Sequence, residues 1–309
     1  MTEKQPRYPV YVPSKGRADQ CLTAEMFVLD GVPFRLVIEE AEYDAYASRY
    51  GEDRILVLPF SDQGSVVPAR NWIMEHSIAE GHKRHWQYDD NIRRMHRLYG
   101  EKRLYARAGI TLAVCEDFTD RYTNVAISGF QYSMFVPEIT AVSGPFILNC
   151  HVYSCSLINN EIPHRWRGRY NEDTDLCLQV LSDGWCTILL QAFLADKIWT
   201  MRMTGGNTDA LYGGQRKLNG KPDAPDDGRL KMARSLERDW PGVVTTKRRF
   251  QRPQHVVAAS WRKFDTPLIK RDDLDIPDEP NEYGMKLATL QPIESPLLRR
   301  IADDYNKGK

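Results

Sequence analysis

The sequence carries no excess charge of either sign: 42 Lys and Arg are matched by 42 Asp and Glu. No global basic field advertises a polyanionic partner, so any polyanion must meet a local patch. Long apolar runs are also missing. Stretches such as Cys186 to Leu190 fall far short of the roughly 18 residues a membrane helix needs. Met1 to Arg7 is polar and lacks the apolar heart of a secretion signal. Cysteine is sparse, with six residues (Cys21, Cys115, Cys150, Cys155, Cys177, Cys186) and no Cys-x-x-Cys pair. Free thiols in a reducing compartment are therefore expected, and with them a cytoplasmic location. Hydrophobic residues make up 42% of the 309, enough for a folded core.

What is present is an α/β rhythm. Tyr8 to Val12 reads as a strand ended by Pro13 and the turn Ser14-Lys15-Gly16. A helix follows over about Ala18 to Asp30 with Gly31 as its stop, then a strand at Phe34 to Ile38. A second helix, Glu40 to Tyr50, closes at Gly51; Ile55 to Leu58 is strand-like, and Pro68 opens a helix through Met74 and Ile78. His85 to Tyr88 is a fourth strand running into Asp89-Asp90-Asn91. Repeated βα units favour a mostly parallel sheet flanked by helices, because right-handed crossovers join such strands. Further on, the patterns predict a helix near Leu104 to Phe118, strands at Val125 to Ser128, Phe146 to Leu148, Val152 to Ile158 and Cys186 to Leu190, and a helix over Asp175 to Ser182. Asp272, Asp273, Asp275, Asp278, Glu279 and Glu282 crowd a proline-broken stretch. One domain over residues 1–264 with an acidic, proline-containing extension over 265–309 is the expected organisation.

Ligands of open α/β sheets bind outside the carboxyl ends of the strands, which is where Asp89, Asp90 and Asn91 stand. Two carboxylates and an amide are hard oxygen ligands suited to Mg²⁺ or Mn²⁺ shared with substrate phosphates; the same run also serves as a capping turn. The first βα turn, Pro13-Ser14-Lys15-Gly16-Arg17, puts cations and a glycine where a nucleotide's phosphates lie in such folds, or makes a solvated turn. Arg70 and Asn71, at a helix start, offer a fork for a phosphate or for the metal loop.

The blocks Val12-Pro13-Ser14-Lys15-Gly16-Arg17, Ala69-Arg70-Asn71 and Trp86-Gln87-Tyr88-Asp89-Asp90-Asn91-Ile92 resemble the TET-associated glycosyltransferases, a phage-encoded family similar to the base J glucosyltransferases of kinetoplastids. The resemblance covers roughly Tyr8 to Phe264. It implies a GT-A-like (Rossmann-type) fold and transfer of a sugar from a nucleotide sugar, UDP-linked, to the hydroxyl of 5-hydroxymethylcytosine in duplex DNA, inside an infected bacterial host if phage-encoded. It also implies Mn²⁺ or Mg²⁺ on an Asp-x-Asp-like element that maps to Asp89, Asp90 and Asn91, with His255 as a late ligand. An acidic base ahead of an acceptor-side helix maps to Asp173 or Glu172, of which Asp173 is the first choice; helix capping is the competing role.

Remaining candidates surround these. Glu39 and Glu40 are placed for donor ribose hydroxyls or a helix N-terminus. Gly205-Gly206-Asn207-Thr208 can approach a diphosphate through backbone amides, or is a plain turn, as Gly213-Gly214 is. The span Lys247 to His255, with Arg248, Arg249, Phe250 and Arg252, followed by Trp261, interleaves cations with aromatics as sequence-tolerant DNA binding requires; a solvated basic edge strand has the same composition. Trp166 among Arg165, Arg167 and Arg169, with Tyr170, offers a further base-stacking surface, and Arg93, Arg94 and Arg97 extend a groove or lie on helix and loop surface. Competing readings keep the sugar chemistry with a glycan, protein or small-molecule acceptor, replace it by nucleotidyl transfer, or remove catalysis and leave a nucleotide- or DNA-binding module.

Overall fold

A computed structural model describes residues 4–61, 64–99, 102–136, 144–198, 203, 205–206, 229–249, 252–257 and 261–273. The N-terminal rhythm resolves as β1 (Val10–Pro13), α1 (Leu22–Asp30), β2 (Arg35–Ile38), α2 (Tyr43–Tyr50), β3 (Ile55–Val57), α3 (Val67–Ala79) and β4 (Arg84–Tyr88). Gly31 ends α1 in the left-handed region at φ 66°, and Pro68 sits in the first turn of α3, where no N–H is needed. The chain continues through β5 (Ile92–Tyr99), β6 (Lys102–Ala106), α4 (Ala108–Thr119), β7 (Val125–Tyr132), β8 (Phe146–Leu148) and β9 (Cys155–Asn159). It then forms α5 (Glu172–Ser182), β10 (Cys186–Lys197), α6 (Arg229–Asp239) and the antiparallel pair β11 (Thr245–Arg249) and β12 (Arg252–Val256).

One mixed sheet has the order β3-β2-β1-β4-β9-β7-β10-β5-β6, with β8 on β10. β1, β2, β3, β4, β6, β7 and β10 run in one direction and β5, β8 and β9 in the other. This is an α/β architecture of mostly parallel strands, consistent with a GT-A-like domain. β4 is buried throughout, and its Trp86 stacks on Phe130 of β7 with centroids 5.6 Å apart while its indole N–H donates to Glu116 at 2.8 Å. Behind the sheet, α5 packs Leu176, Val180 and Leu181 against Ile127, Ile158 and Leu189.

Sheet order determines where chemistry gathers. β1 and β4 are parallel neighbours with Tyr11 opposite Gln87, so the turns leaving both open at the same edge. β9 enters antiparallel with Cys155 opposite Tyr88, which sets Ser154 beside Asp89; the Asp89 N–H donates to the Ser154 carbonyl at 2.7 Å. β7 and β10 end there, and Lys197 pairs with Ile92 at the start of β5.

Several elements differ from the sequence expectation. Lys102 to Ala106 is a strand, not the first turn of a helix, because it pairs with β5; α4 begins at Ala108, whose N–H donates to Asp30 at 2.7 Å. Ile92 to Tyr99 is also a strand, so Arg93, Arg94 and Arg97 lie on the sheet and not on a helix or loop. The helix expected from Ala18 begins as a single tight turn, and α1 proper starts at Leu22. β10 runs seven residues beyond Leu190, through an irregularity in its pairing with β7. Residues 264–271 lie along the turn before β7: the Thr123 N–H donates to Ile269 O at 2.9 Å and Asn149 Nδ2 to Thr266 O at 2.9 Å. The compact unit that holds the sheet extends to Arg271. The acidic positions 275, 278, 279 and 282, the loop residues 207, 208, 213 and 214, Phe250 and the Arg252 side chain lie outside the described residues.

Candidate active site

The two acids that end β4 face different partners. Ser14 donates to Asp90 Oδ2 at 2.8 Å, and the Arg17 guanidinium pairs with Asp90 Oδ1. Tyr46 of α2 bonds Ser14 Oγ at 2.7 Å and accepts the Arg17 N–H at 3.0 Å, so the first βα turn is braced from behind. Burial raises the Asp90 pKa above the usual carboxylate value against the opposing pull of Arg17.

Asp89 is held by two cations. Arg70 donates to Oδ1 at 2.7 Å, while Ser154 at 2.6 Å and Lys197 at 2.8 Å donate to Oδ2. Lys197 also reaches Ser154 Oγ at 2.6 Å and Tyr132 OH at 3.2 Å. Burial works against the Asp89 charge, but Lys197 and Arg70 outweigh it and hold this carboxyl well below its ordinary range. The Asp89 charge overrides burial at Lys197 in the same way and raises its pKa well above that of a free lysine. Ser154 sits at φ 62°, a region costly for a residue with a Cβ, and presents its hydroxyl to both groups. Thr23 of α1 ties the turn together, accepting the Ile92 N–H at 3.0 Å and donating to the Asp89 carbonyl at 2.5 Å.

The acceptor-side acids lie on the far side of Arg70. Its Nε stands 3.6 Å from Glu172 Oε1 at the start of α5. Burial first, and the Asp173 charge second, push Glu172 up to about 7. Asp173 Oδ1 accepts the Thr174 N–H at 2.7 Å within the first turn of α5, whose N-cap residue Asn171 makes no side-chain capping bond. His151 and His255 are both lowered by burial, and the Asp173 charge opposes the shift at each. His151 stacks on Tyr153 at 4.7 Å and meets Trp261 at 5.7 Å; Tyr153 meets Tyr132 at 4.3 Å, and Phe135, 59% exposed, packs on Tyr132 at 5.8 Å. An aromatic ladder thus runs from Trp261 past the acids to an open end at Phe135.

Ser14, Arg17, Arg70, Asp89, Asp90, Glu172 and Asp173 therefore gather at one sheet edge, and His255 and Trp261 approach it from the C-terminal segment. Gly205 and Gly206 lie on the first βα turn: the Gly206 N–H donates to Lys15 O at 2.7 Å, and Arg17 Nη2 donates to Gly205 O at 3.1 Å. Only glycine fits at 205, where φ is 75° and a Cβ would stand 2.4 Å from the Gly16 carbonyl oxygen. Pro13 closes β1 opposite Val37. Arg248 and Arg249 are exposed on β11.

Other assignments change. Trp166 is 4% exposed, with the Arg70 guanidinium 4.7 Å over its ring, so it is a bed for Arg70 and not a platform for a base. Asn71 makes a two-way bond with the Trp166 backbone, at 2.8 and 2.9 Å, and so positions that tryptophan instead of meeting a phosphate. Glu39 accepts from Lys15 at 2.7 Å through Oε1. Arg167 forks onto Asp175 at 2.8 and 3.0 Å, which anchors α5. Sequence reasoning missed Lys197, Ser154, Tyr132, His151, Tyr153, Tyr46 and Thr23. Among these only Lys197 had a signal, the apolar run Ala192 to Ala195 that carries β10 beyond Leu190.

Among the described residues no three His, Cys, Asp or Glu side chains are placed to hold a metal ion. Every carboxylate oxygen of Asp89 and Asp90 already accepts from a protein donor. Asn91 Oδ1 and His255 Nδ1 are buried with no hydrogen-bond partner. As arranged, Asp89 and Asp90 do not fit such an ion.

No helix among the described residues is long and apolar enough to cross a membrane. No curated protein matches the chain. The family model described as TET-Associated Glycosyltransferase matches residues 8–206, which takes in the β1 turn, the start of α3, the end of β4, the acids of α5, Lys197 and the Gly205-Gly206 turn. On that match, over more than half of its length, the chain belongs to the TET-Associated Glycosyltransferase family.

Proposed function

We propose that the chain moves a sugar from a nucleotide sugar, UDP-linked, to the hydroxyl of 5-hydroxymethylcytosine in DNA. The observation that carries this reading is geometric: Glu172, at the start of α5, stands 3.6 Å from Arg70, which also holds the acid at the end of β4, and burial pushes the Glu172 carboxyl up to about 7. A base of that strength is matched to proton transfer at neutral pH. The donor lies along the ends of β1 and β4, with its diphosphate toward Arg17 and the Gly205-Gly206 turn. The acceptor oxygen attacks the anomeric carbon; the bond from that carbon to the diphosphate oxygen breaks, and its electron pair leaves with the diphosphate. The hydroxyl proton passes to Glu172 or Asp173. Negative charge grows on the leaving group, so fixed cations at the strand ends stabilise the transition state more than the ground state.

Two features support DNA as acceptor. The exposed arginines of β11 suit a phosphate backbone, and the ladder from Trp261 to Phe135 suits a flat ring taken out of its stack. The test is incubation of the protein with a panel of nucleotide sugars and DNA containing 5-hydroxymethylcytosine, read by mass spectrometry of the digested nucleosides. The expected product is a nucleoside heavier by one sugar, absent with unmodified DNA and lost in the Glu172→Gln, Asp173→Asn double variant. Transfer to a glycan or small molecule, with none to DNA, would overturn the acceptor; hydrolysis or transfer of no nucleotide sugar would overturn the enzyme reading.

A further inference from the structure

The acids at the end of β4 present a filled shell. Asp89 Oδ1 carries Arg70, Asp89 Oδ2 carries Lys197 and Ser154, Asp90 Oδ1 carries Arg17, and Asp90 Oδ2 carries Ser14. Three of these five donors are cations. The next position, which a strict Asp-x-Asp element fills with a third-place carboxylate, is the neutral amide Asn91. Lys197 is not a loose surface side chain that swings aside. It is anchored at the end of β10 opposite Ile92, 13% exposed, with its ammonium on Asp89, Ser154 and Tyr132 at 2.8, 2.6 and 3.2 Å. For Mg²⁺ or Mn²⁺ to take Asp89 Oδ2, it must expel Lys197 from all three bonds or sit beside a like charge in a partly desolvated place.

We infer that Lys197, Arg70 and Arg17 do the electrostatic work of a divalent ion, so that a nucleoside diphosphate binds at the ends of β1 and β4 without one. The inference rests on the donor reading proposed above. Three cations stand against Asp89 and Asp90, with Glu172 as a further acid 3.6 Å from Arg70, and the incoming diphosphate meets those cations already fixed in place. The fixed pairs also preorganise the site: Asp89 and Asp90 hold the cations in place before the donor arrives, which is what a bound ion would otherwise do. Removing Lys197 takes away one of the three cations and leaves Asp89 Oδ2 with Ser154, so it converts the site toward one that an ion can complete.

The experiment is calorimetric titration of the full-length chain with UDP, in EDTA and in excess Mn²⁺, for the wild type and Lys197→Met. Wild-type affinity is expected to differ by less than about threefold between the two buffers, whereas Lys197→Met loses about tenfold or more in EDTA and regains most of it with Mn²⁺. A wild-type loss of about tenfold or more in EDTA would overturn the inference while leaving the donor reading intact. So would UDP binding by Lys197→Met as tight in EDTA as that of the wild type. Should Lys197→Met fail to fold by circular dichroism, Arg17→Met, which frees Asp90 Oδ1, takes its place with the same expected pattern. If none of UDP, ADP, GDP and CDP binds in either buffer, the donor reading fails and the inference falls with it.

Discussion

Asp89→Asn separates an internal counter-ion from an ion-ready ligand by stability alone. Asp89 neutralises Lys197, 13% exposed, and Arg70, 5% exposed, and is itself only 24% exposed. Substituting an amide keeps the shape but leaves Lys197 without its counter-charge and Arg70 with Glu172 at 3.6 Å. Breaking a buried pair by removing one partner costs about 3–5 kcal/mol. Residual solvent access to Asp89 lowers this toward the bottom of the range, so a loss of about 3 kcal/mol is expected. The assay is urea unfolding followed by tryptophan fluorescence at neutral pH, with an unchanged m-value as the check that the unfolded state is unaffected. The pH dependence has a definite sign. The folded Asp89 pKa lies below its unfolded value of about 3.9, so its stabilisation is complete above that value and is lost as pH falls through the folded one. The folded Lys197 pKa lies above its unfolded value of about 10.4, so its share is complete below that value and is lost as pH rises through the folded one. Asp89→Asn is therefore destabilising across neutral pH, and Lys197→Met on top of it restores part of the loss. An Asp89→Asn variant as stable as the wild type, or more stable, would refute the reasoning: an acid kept for a metal repels its neighbours in the free protein, and removing it gives relief.

Glu172→Gln should flatten the rise of kcat/KM through pH 7 in a transfer assay. It should also stabilise the fold by up to about 3 kcal/mol above that pH, because an acid whose folded pKa is raised to about 7 loses stability between its unfolded value and there. Arg248→Ala with Arg249→Ala should lower the slope of log affinity for duplex DNA against log salt by about 2 units, measured by fluorescence anisotropy, if each arginine meets one phosphate. Gly205→Ala forces a Cβ toward the Gly16 carbonyl, 2.4 Å away, and should weaken UDP binding about tenfold in calorimetry by pushing the loop off the β1 turn.

The half of the site built from local sequence was legible. The β1 turn, the acids after β4 and the start of α5 each sit at a junction where an apolar run meets polar residues, and strand direction then implies convergence. What escaped comes from pairing between distant segments. Lys197 reaches Asp89 because β10 lies between β7 and β5, a neighbourhood no local pattern encodes. Ser154 and His151 sit in an irregular run, where chemistry depends on unusual backbone geometry and not on periodicity. β5 escaped because Arg93, Arg94 and Arg97 break the apolar alternation, and two of these arginines find their acid, Asp196, on the neighbouring strand. Trp166 was misplaced for a related reason: flanking arginines suggested a surface, but Arg167 is drawn to Asp175 and the ring turns inward beneath Arg70.

The most direct test of the central claim is a crystal structure of the chain grown with UDP in EDTA. The account predicts electron density for the diphosphate at the ends of β1 and β4, within hydrogen-bond reach of Arg17 and the Gly205-Gly206 turn, with Lys197 still on Asp89. A nucleotide lodged elsewhere, or one that appears only with a metal ion where Lys197 now stands, would contradict it.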